Sequence, residues 1–150
     1  MSKKIPLDAV HEVRDACLCL ATQRAARTLA RRFDRAFQDL DLTNGQFSLM
    51  MPLNAPHAPT LGQLAEFLAM DRTTLTAALK SLERRGLVKV EFDNQDRRAR
   101  RLLLTDEGRG VLLSAIPIWR AEHAMLEGEL SKSRAAKLRT SLHSIGRIKD

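Results

Sequence analysis

Apolar residues recur at spacings of three and four along most of this chain, which is the periodicity of amphipathic helices. The first such segment extends from Leu7 to Leu40 and predicts one long helix. Because so long a helix carries more apolar surface than a small core can cover, we expect part of its stripe to contact a second subunit. Two further helices are predicted, one after Thr43 and one after Thr60, on either side of a surface loop over 54–59.

The hydrophobic pattern changes twice between residues 71 and 105. Asp71 is a favourable N-cap for a helix over 71–85, and Gly86 is a residue type that ends helices. The segment 88–92 alternates apolar and polar residues as a half-buried strand, and 101–105 is its predicted partner. The helices over 61–70 and 71–85 therefore predict a helix-turn-helix, followed by a hairpin with a charged tip.

Helical periodicity returns after the hairpin. Thr105 is the predicted cap of a long helix with Asp106 and Glu107 in its first turn, and a last helix starts near Ser133. We therefore predict a mainly α fold with a small β-hairpin wing. Its parts are a winged helix-turn-helix DNA-binding domain over 43–105 and a helical dimerisation region formed by 7–40 and 106–148, within a single unit over 1–150.

The distribution of charge points to a polyanionic partner. The 150 residues carry a formal net charge of +7 at pH 7, and cations that neutralise phosphates release counterions whatever the base sequence. The segment 36–70 contains no Lys or Arg, whereas 71–101 has nine basic and five acidic residues, a net of +4. The basic excess therefore lies in the predicted helix-turn-helix and hairpin.

One face of the helix 71–85 has the residue types that a helix in the DNA major groove needs. If its leucines face inward, the opposite side is small and polar at its start and basic toward its end. Short hydroxyl and methyl groups suit close approach to base edges, and long cations suit phosphates. The outward residues are Thr73, Ala77, Lys80 and Arg84, flanked by Thr74, Thr76 and Ser81. A surface helix with ordinary solvated charges is the alternative interpretation.

The hairpin tip is rich in arginine. Arginines on a two-stranded ribbon suit the narrow, electronegative minor groove or the flanking phosphates. A salt-bridged structural hairpin is the alternative, because Asp93 and Asp96 lie in the same segment. The arginines are Arg97, Arg98, Arg100 and Arg101.

Three short motifs, in this order, give the chain a family resemblance. They are Leu82-Glu83-x-x-Gly86-Leu87-Val88 at the end of the predicted reading helix over 71–85, Asp96-x-Arg98 in the wing and Leu104-Thr105-x-x-Gly108 beyond it. With these motifs the segment 61–108 closely resembles the MarR (multiple antibiotic resistance regulator) family. The helical flanks resemble that family's dimerisation region, so the likeness covers nearly the whole chain.

The resemblance implies a homodimeric transcription regulator, which we expect to be a repressor that binds a pseudo-palindromic double-stranded DNA operator. It also implies that a small-molecule effector, whose identity the sequence does not give, tunes the affinity for DNA. By motif position, Arg98 would enter the minor groove and Asp96 would orient the wing. The residues that would face the major groove are Arg72, Thr73, Thr74, Thr76 and Lys80.

Two alternative functions remain open. Some members of the family sense peroxides through a reactive cysteine in the first helix, where this chain has Cys17 and Cys19. Cys17 is thus a candidate redox residue of a thiol-based regulator with the same fold. Those relatives support the thiolate with tyrosines, and this chain has no tyrosine, so we expect structural cysteines. A non-specific architectural DNA- or RNA-binding protein is the other alternative.

Other classes of function lack their residue patterns. The sequence has no phosphate-binding glycine loop and no nucleophile elbow, so we expect no catalytic residues and no enzyme activity. The four histidines are scattered without metal-ligand spacing, and we expect neither a metal nor a cofactor. No apolar run approaches the roughly 18 residues that span a membrane. Met1 to Lys4 lead into a charged helix rather than a signal-peptide core, so we expect a cytoplasmic protein without a membrane partner.

Overall fold

The computed structural model describes residues 4–148, and within them the chain forms seven α-helices and one antiparallel hairpin. The predicted unit over 1–150, and the N-terminal segment Met1 to Lys4, thus lie partly outside the described residues. The predicted fold class, mainly α with a small hairpin, is confirmed. The helices are α1 (Leu7–Ala16), α2 (Leu18–Ala36), α3 (Asn44–Met50), α4 (Leu61–Leu68), α5 (Arg72–Arg84), α6 (Asp106–Leu130) and α7 (Lys132–Ile145), and the strands are β1 (Val88–Phe92) and β2 (Arg100–Leu104).

The predicted single helix from Leu7 to Leu40 is wrong, because the chain breaks at Cys17 into α1 and α2. Cys17 has an extended backbone conformation, with φ −73° and ψ 109°. Its N–H donates to the carbonyl of Val13 and ends α1, while its Sγ accepts the N–H of Leu20 at 3.4 Å and caps α2. After Ala36 the chain tightens into the 3₁₀ helix Gln38–Leu40.

The predicted N-caps organise the helices of the middle of the chain. The Thr43 hydroxyl accepts the N–H of Gln46, and the Gln46 side chain accepts the N–H of Thr43, which is a complete capping box. Thr60 and Gln63 form the same arrangement at the start of α4. The hydroxyl of Thr105 accepts the N–H of Gly108 at 3.0 Å and caps α6. These short-range bonds fix where α3, α4 and α6 begin.

The hairpin pairs Val88 with Leu104 at its base and Phe92 with Arg100 at its outer end. The second strand ends one residue earlier than predicted, at Leu104, because Thr105 leaves the ladder to cap α6. The prediction that the first strand is half-buried fails at its end, where Phe92 is 67% exposed. The inward face of the hairpin therefore extends beyond the core.

One hydrophobic core lies under α5 and the base of the hairpin. Phe33 of α2 and Phe37, the residue that follows α2, pack in sequence toward Phe47 of α3 and Trp119 of α6, with neighbouring ring centroids 4.9 to 6.5 Å apart. Because the inward leucines of α5 are part of this core, the opposite face of α5 is held outward. The largest fully buried side chains are Phe37, Met50, Leu64, Leu75, Leu82 and Leu102.

Helices α2 and α6 are also joined by a charged contact. The guanidinium of Arg32 bonds to Glu122 and, at 2.9 Å, to Glu129. Both carboxylates favour the charged guanidinium and raise the pKa of Arg32. Over residues 4–148, none of the helices has the length and apolar character needed to cross a membrane.

Candidate nucleic-acid interface

The start of α5 is fixed by Asp71. Its carboxylate accepts the N–H of Thr74 at 2.8 Å and the hydroxyl of Thr74 at 2.6 Å. These bonds, the hydroxyl first, stabilise the charged carboxylate and hold the pKa of Asp71 below its ordinary value. The Thr74 hydroxyl proton is therefore used within the protein, and its oxygen can still accept a bond from outside.

The structure places the predicted reading-helix residues on one outward surface. Arg72, Thr73, Thr74, Ala77, Lys80 and Arg84 are exposed, Thr76 is half-buried, and Leu75, Leu79 and Leu82 are buried behind them. Arg72, Thr73, Thr76, Ala77 and Lys80 border one shallow recess on this surface. The Thr76 hydroxyl donates to the Arg72 carbonyl at 2.7 Å, so a further contact would use its oxygen as an acceptor.

Arg72 also has a neighbour that sequence reasoning missed. A Cβ placed on Gly62, at the start of α4, would lie 2.9 Å from a terminal guanidinium nitrogen of Arg72. The missing side chain of Gly62 therefore makes room for the Arg72 guanidinium between the two helices. Because this contact joins residues ten positions apart, no local pattern in the sequence indicates it.

The wing tip is shaped by its two aspartates. Asp96 accepts the N–H of Arg98 at 2.9 Å, and its carbonyl accepts the N–H of Ala99 at 2.9 Å. Asp93 accepts the N–H of Gln95 and two bonds from Arg101, and these contacts lower the pKa of the Asp93 carboxyl. Both carboxylates thus hold the backbone of the turn. Arg97, Arg98 and Arg100 stay exposed.

Arg101 is the exception among the wing arginines, and the expectation that it faces DNA is wrong. Its guanidinium donates to Asp93 at 2.8 Å and to the carbonyl of Ala58 at 2.8 Å. Arg101 and Thr60 also form an isolated antiparallel bridge. Arg101 therefore ties the wing to the loop before α4, because its side chain points to the opposite face of β2 from Arg100.

The pairing of charges separates the predicted DNA contacts from the other cations of this region. Arg85 lies 3.7 Å from Asp41, Lys89 lies 2.7 Å from Glu91, and Arg101 is bound by Asp93. Within residues 4–148, the six cations proposed from the sequence have no carboxylate within 4.0 Å. Those six are Arg72, Lys80, Arg84, Arg97, Arg98 and Arg100.

At Gly108 the backbone of α6 comes very close to the turn that connects α5 to the wing. A Cβ on Gly108 would lie only 2.1 Å from the carbonyl oxygen of Leu87. That carbonyl accepts the N–H of Thr105 at 3.1 Å, and the Thr105 hydroxyl donates to the carbonyl of Gly86 at 2.6 Å. Gly86 itself has a φ of +70°, which favours glycine at the turn out of α5. The two glycines therefore fix the angle at which the hairpin leaves α5.

The cysteines and histidines form no second chemical site in the described residues. Cys17 is half-buried at the break between α1 and α2, Cys19 is exposed, and both are free thiols. His123 lies 3.8 Å from Glu127 and stacks on Trp119. Across residues 4–148 there is no group of three or more side chains that could hold a metal ion.

A cavity of about 490 Å³ lies between α2, α6 and α7. Its wall is mainly apolar and includes Leu126, Leu130 and Leu138, together with Arg24 and Arg139. Arg139 is paired with Glu127 at 2.6 Å. This cavity lies among the outer helices α2, α6 and α7.

A helix-turn-helix followed by a hairpin with an arginine-rich tip defines a winged helix-turn-helix protein. The family model described as the MarR family matches residues 42–99. The structure superimposes on the Mycobacterium tuberculosis regulator MosR in complex with DNA, with a TM-score of 0.79 and 35% identity over 87% of this chain and 94% of MosR. The chain belongs to the MarR family.

Two further relatives extend this comparison. The transcriptional repressor CouR, solved bound to a 23-mer DNA duplex, has a TM-score of 0.79 and 28% identity over 97% of this chain and 100% of CouR. CouR has also been solved bound to p-coumaroyl-CoA. The uncharacterized regulator YybA of Bacillus subtilis is 34% identical over 86 residues, which are 57% of this chain and 57% of YybA. The chain thus spans little more than half the length of this curated relative.

Proposed function

We propose that this chain is a sequence-specific, double-stranded DNA-binding transcription regulator, and that it is a homodimeric repressor acting on a pseudo-palindromic operator. The observation that carries the proposal is the absence, in residues 4–148, of carboxylate partners for the six cations on α5 and the wing. Unpaired cations give a surface the positive potential that attracts phosphates. MosR and CouR, which share this fold, have both been solved in complex with DNA, and this supports DNA as the partner.

The proposed roles follow from side-chain length and position. The short residues at the start of α5 approach base edges, while the cations toward its end contact phosphates. Arg98 enters the minor groove, Asp96 holds its backbone, and Arg97 and Arg100 reach flanking phosphates. Residues 43–105 are thus the proposed DNA-binding domain, and its major-groove residues are Arg72, Thr73, Thr74, Thr76, Ala77 and Lys80, with Arg84 beyond them.

The proposed dimer rests on apolar side chains that the single chain leaves uncovered. Helix α1 contains no buried residue, and its Leu7, Val10 and Val13 are 50% to 66% exposed. A ten-residue helix without packing partners is marginal in water, so a second copy is needed to stabilise it. Leu138, Leu142 and Ile145 of α7 form a second exposed apolar stripe. Residues 7–40 and 106–148 are therefore the proposed dimerisation region.

A small-molecule effector completes the proposal. CouR is a repressor that has been solved both with DNA and with p-coumaroyl-CoA, which combines an apolar group with negative charge. The cavity between α2, α6 and α7 has mainly apolar walls, which also contain Arg24 and the ion pair of Arg139 with Glu127, and thus suits a largely apolar molecule. Leu138 and Leu142 belong both to this wall and to the exposed stripe of α7, so the proposed effector cavity adjoins the proposed dimer interface. Such a regulator acts where the chromosome is, so we place it in the cytoplasm, and enzyme activity has no part in this function.

Selection of bound fragments from random double-stranded DNA tests the proposed function. The full-length chain should enrich one pseudo-palindrome whose half-sites are about one DNA turn apart, roughly 34 Å. An excess of unrelated duplex should compete poorly with this fragment. Equal competition by unrelated duplex, or by RNA, would instead favour a non-specific nucleic-acid-binding protein. Sedimentation equilibrium at micromolar concentration should give a dimer, and a monomer would contradict the two-fold arrangement.

A further inference from the structure

The outermost residue pair of the hairpin joins an exposed aromatic ring to a wing cation. Phe92 and Arg100 lie opposite each other in the register of β1 and β2. The guanidinium carbon of Arg100 lies 5.9 Å from the centroid of the Phe92 ring, within the range of a cation–π contact. Both side chains are exposed.

The hydrogen-bond pattern of the hairpin explains why these two side chains meet. The N–H of Asp93 donates to the carbonyl of Ala99, and the N–H of Thr105 donates to the carbonyl of Leu87. Since hydrogen-bonded pairs alternate along an antiparallel ladder, Phe92 and Arg100 form a non-hydrogen-bonded pair. Side chains approach each other most closely in such pairs. The contact is therefore set by the backbone of the wing.

The position of Phe92 is not explained by the core. Val88, Leu102 and Leu104 lie on the same face of the hairpin and are buried, whereas Phe92 is 67% exposed beyond them. A phenyl ring placed there contributes little to folding. Within the described residues, the ring lies against the guanidinium of Arg100 on the other strand.

The acidic groups of the wing are all engaged elsewhere. Glu91 pairs with Lys89, Asp93 pairs with Arg101, and Asp96 accepts the backbone N–H of Arg98. Arg100 therefore contacts a ring instead of a carboxylate. A ring limits the rotamers of an arginine but leaves its charge uncompensated, so the guanidinium stays available for a phosphate.

We propose that Phe92 is a positioning residue of the DNA interface, which holds the Arg100 guanidinium in place for a phosphate contact. The inference rests on the proposed function, because it assigns a role within the same DNA-binding surface. We therefore expect a substitution of Phe92 to change the affinity for DNA only when Arg100 is present.

A double-mutant cycle tests this inference in the full-length protein. Phe92→Leu should weaken operator binding about threefold per wing, and about tenfold for a dimer with two wings. In an Arg100→Ala background, Phe92→Leu should have no further effect on operator binding. When Arg100 is present, Phe92→Tyr should bind the operator as tightly as the wild type does, because tyrosine keeps the ring. The thermal unfolding midpoint of Phe92→Leu should equal that of the wild type. An equal loss of affinity in both backgrounds, or no loss in either, would overturn the inference.

A measurement without DNA separates this inference from the proposed function. The ring current of Phe92 should shift the Nε–Hε resonance of Arg100 upfield in the NMR spectrum of the free protein. Phe92→Leu should return that resonance to the position of an ordinary exposed arginine. If the shift is present but DNA does not bind, the proposed function fails and the positioning contact stands. If the shift is absent from the wild type, the positioning contact is refuted whatever the protein binds.

Discussion

Replacing Gly108 with alanine should push α6 away from the turn that connects α5 to the wing. The added Cβ would lie 2.1 Å from the Leu87 carbonyl oxygen and 3.0 Å from its carbon, so the backbone must move by about 1 Å to reach ordinary contact. The atom in the way belongs to the backbone and is itself hydrogen-bonded to the N–H of Thr105. Rotation of a flexible side chain therefore gives no relief.

The size of the effect follows from the bonds that must shift. The Thr105-to-Leu87 hydrogen bond contributes about 1 kcal/mol, the Thr105 cap of α6 contributes about 1 kcal/mol, and overpacking costs about 1 kcal/mol or more. Alanine recovers up to about 1 kcal/mol relative to glycine in a helix. We therefore expect Gly108→Ala to lower the free energy of unfolding by about 2 kcal/mol, a large fraction of the total for a protein of this size.

Urea unfolding followed by the fluorescence of Trp119, the single tryptophan, measures this change. Gly110→Ala is the matched control, because nothing lies within 4 Å of its added Cβ in the same helix. The control should be as stable as the wild type or more stable by up to about 1 kcal/mol. Both variants are compared at one protein concentration, since dimerisation affects the midpoint. A Gly108→Ala protein within about 0.5 kcal/mol of wild type would refute this account of the Gly108 contact.

Three further predictions concern single side chains. Thr74→Ala should cost about 1 to 3 kcal/mol of binding free energy on the selected operator and much less on scrambled DNA; equal losses would exclude a base contact. Because the pKa of Asp71 is lowered by the bonds from Thr74, its charge stabilises the fold above the unfolded pKa of about 3.9, and this contribution is lost as pH falls through the folded pKa. The melting temperature should therefore drop more between about pH 5 and pH 3 in the wild type than in Asp71→Asn, and parallel curves would contradict this role. Cys17→Ser should keep the operator affinity and effector response of the wild type, so a peroxide response that disappears in this variant would make Cys17 a redox switch.

Much of the DNA-binding part could be predicted from the sequence because its signals are local. Thr43, Thr60, Asp71 and Thr105 cap helices within three residues of themselves, and Gly86 ends α5 by its own backbone conformation. The inward leucines of α5 follow the helical repeat. With these fixed, the outward face of α5 follows without any tertiary information. The DNA contacts assigned to that face stay predictions.

The features that sequence reasoning missed depend on contacts between distant residues. The break at Cys17 follows no glycine or proline, and the apolar repeat continues across it. Arg101 looks like the other wing arginines, but the carbonyl of Ala58 and the carboxylate of Asp93 hold it against the domain. Phe92 continues the apolar alternation of β1 past the edge of the core. The periodicity and composition of the sequence cannot show where the hydrophobic core ends along the strand, because that limit is set by how far the helices extend beneath the hairpin.

A salt titration of DNA binding measures whether the unpaired cations of the wing contact DNA. Arg98→Ala and Lys89→Ala each remove one positive charge from the same hairpin, but Arg98 has no carboxylate partner in the described residues whereas Lys89 is paired with Glu91. Affinity of the full-length proteins is measured against salt concentration on the selected operator and on a scrambled duplex. We expect Arg98→Ala to weaken binding to both duplexes and to lower the salt slope by about 1 per wing, about 2 per dimer, because a cation in the minor groove also displaces counterions from the DNA. Lys89→Ala should leave the slope nearly unchanged. Equal slopes for Arg98→Ala and the wild type on both duplexes would contradict the claim, because the wing would then not contact DNA.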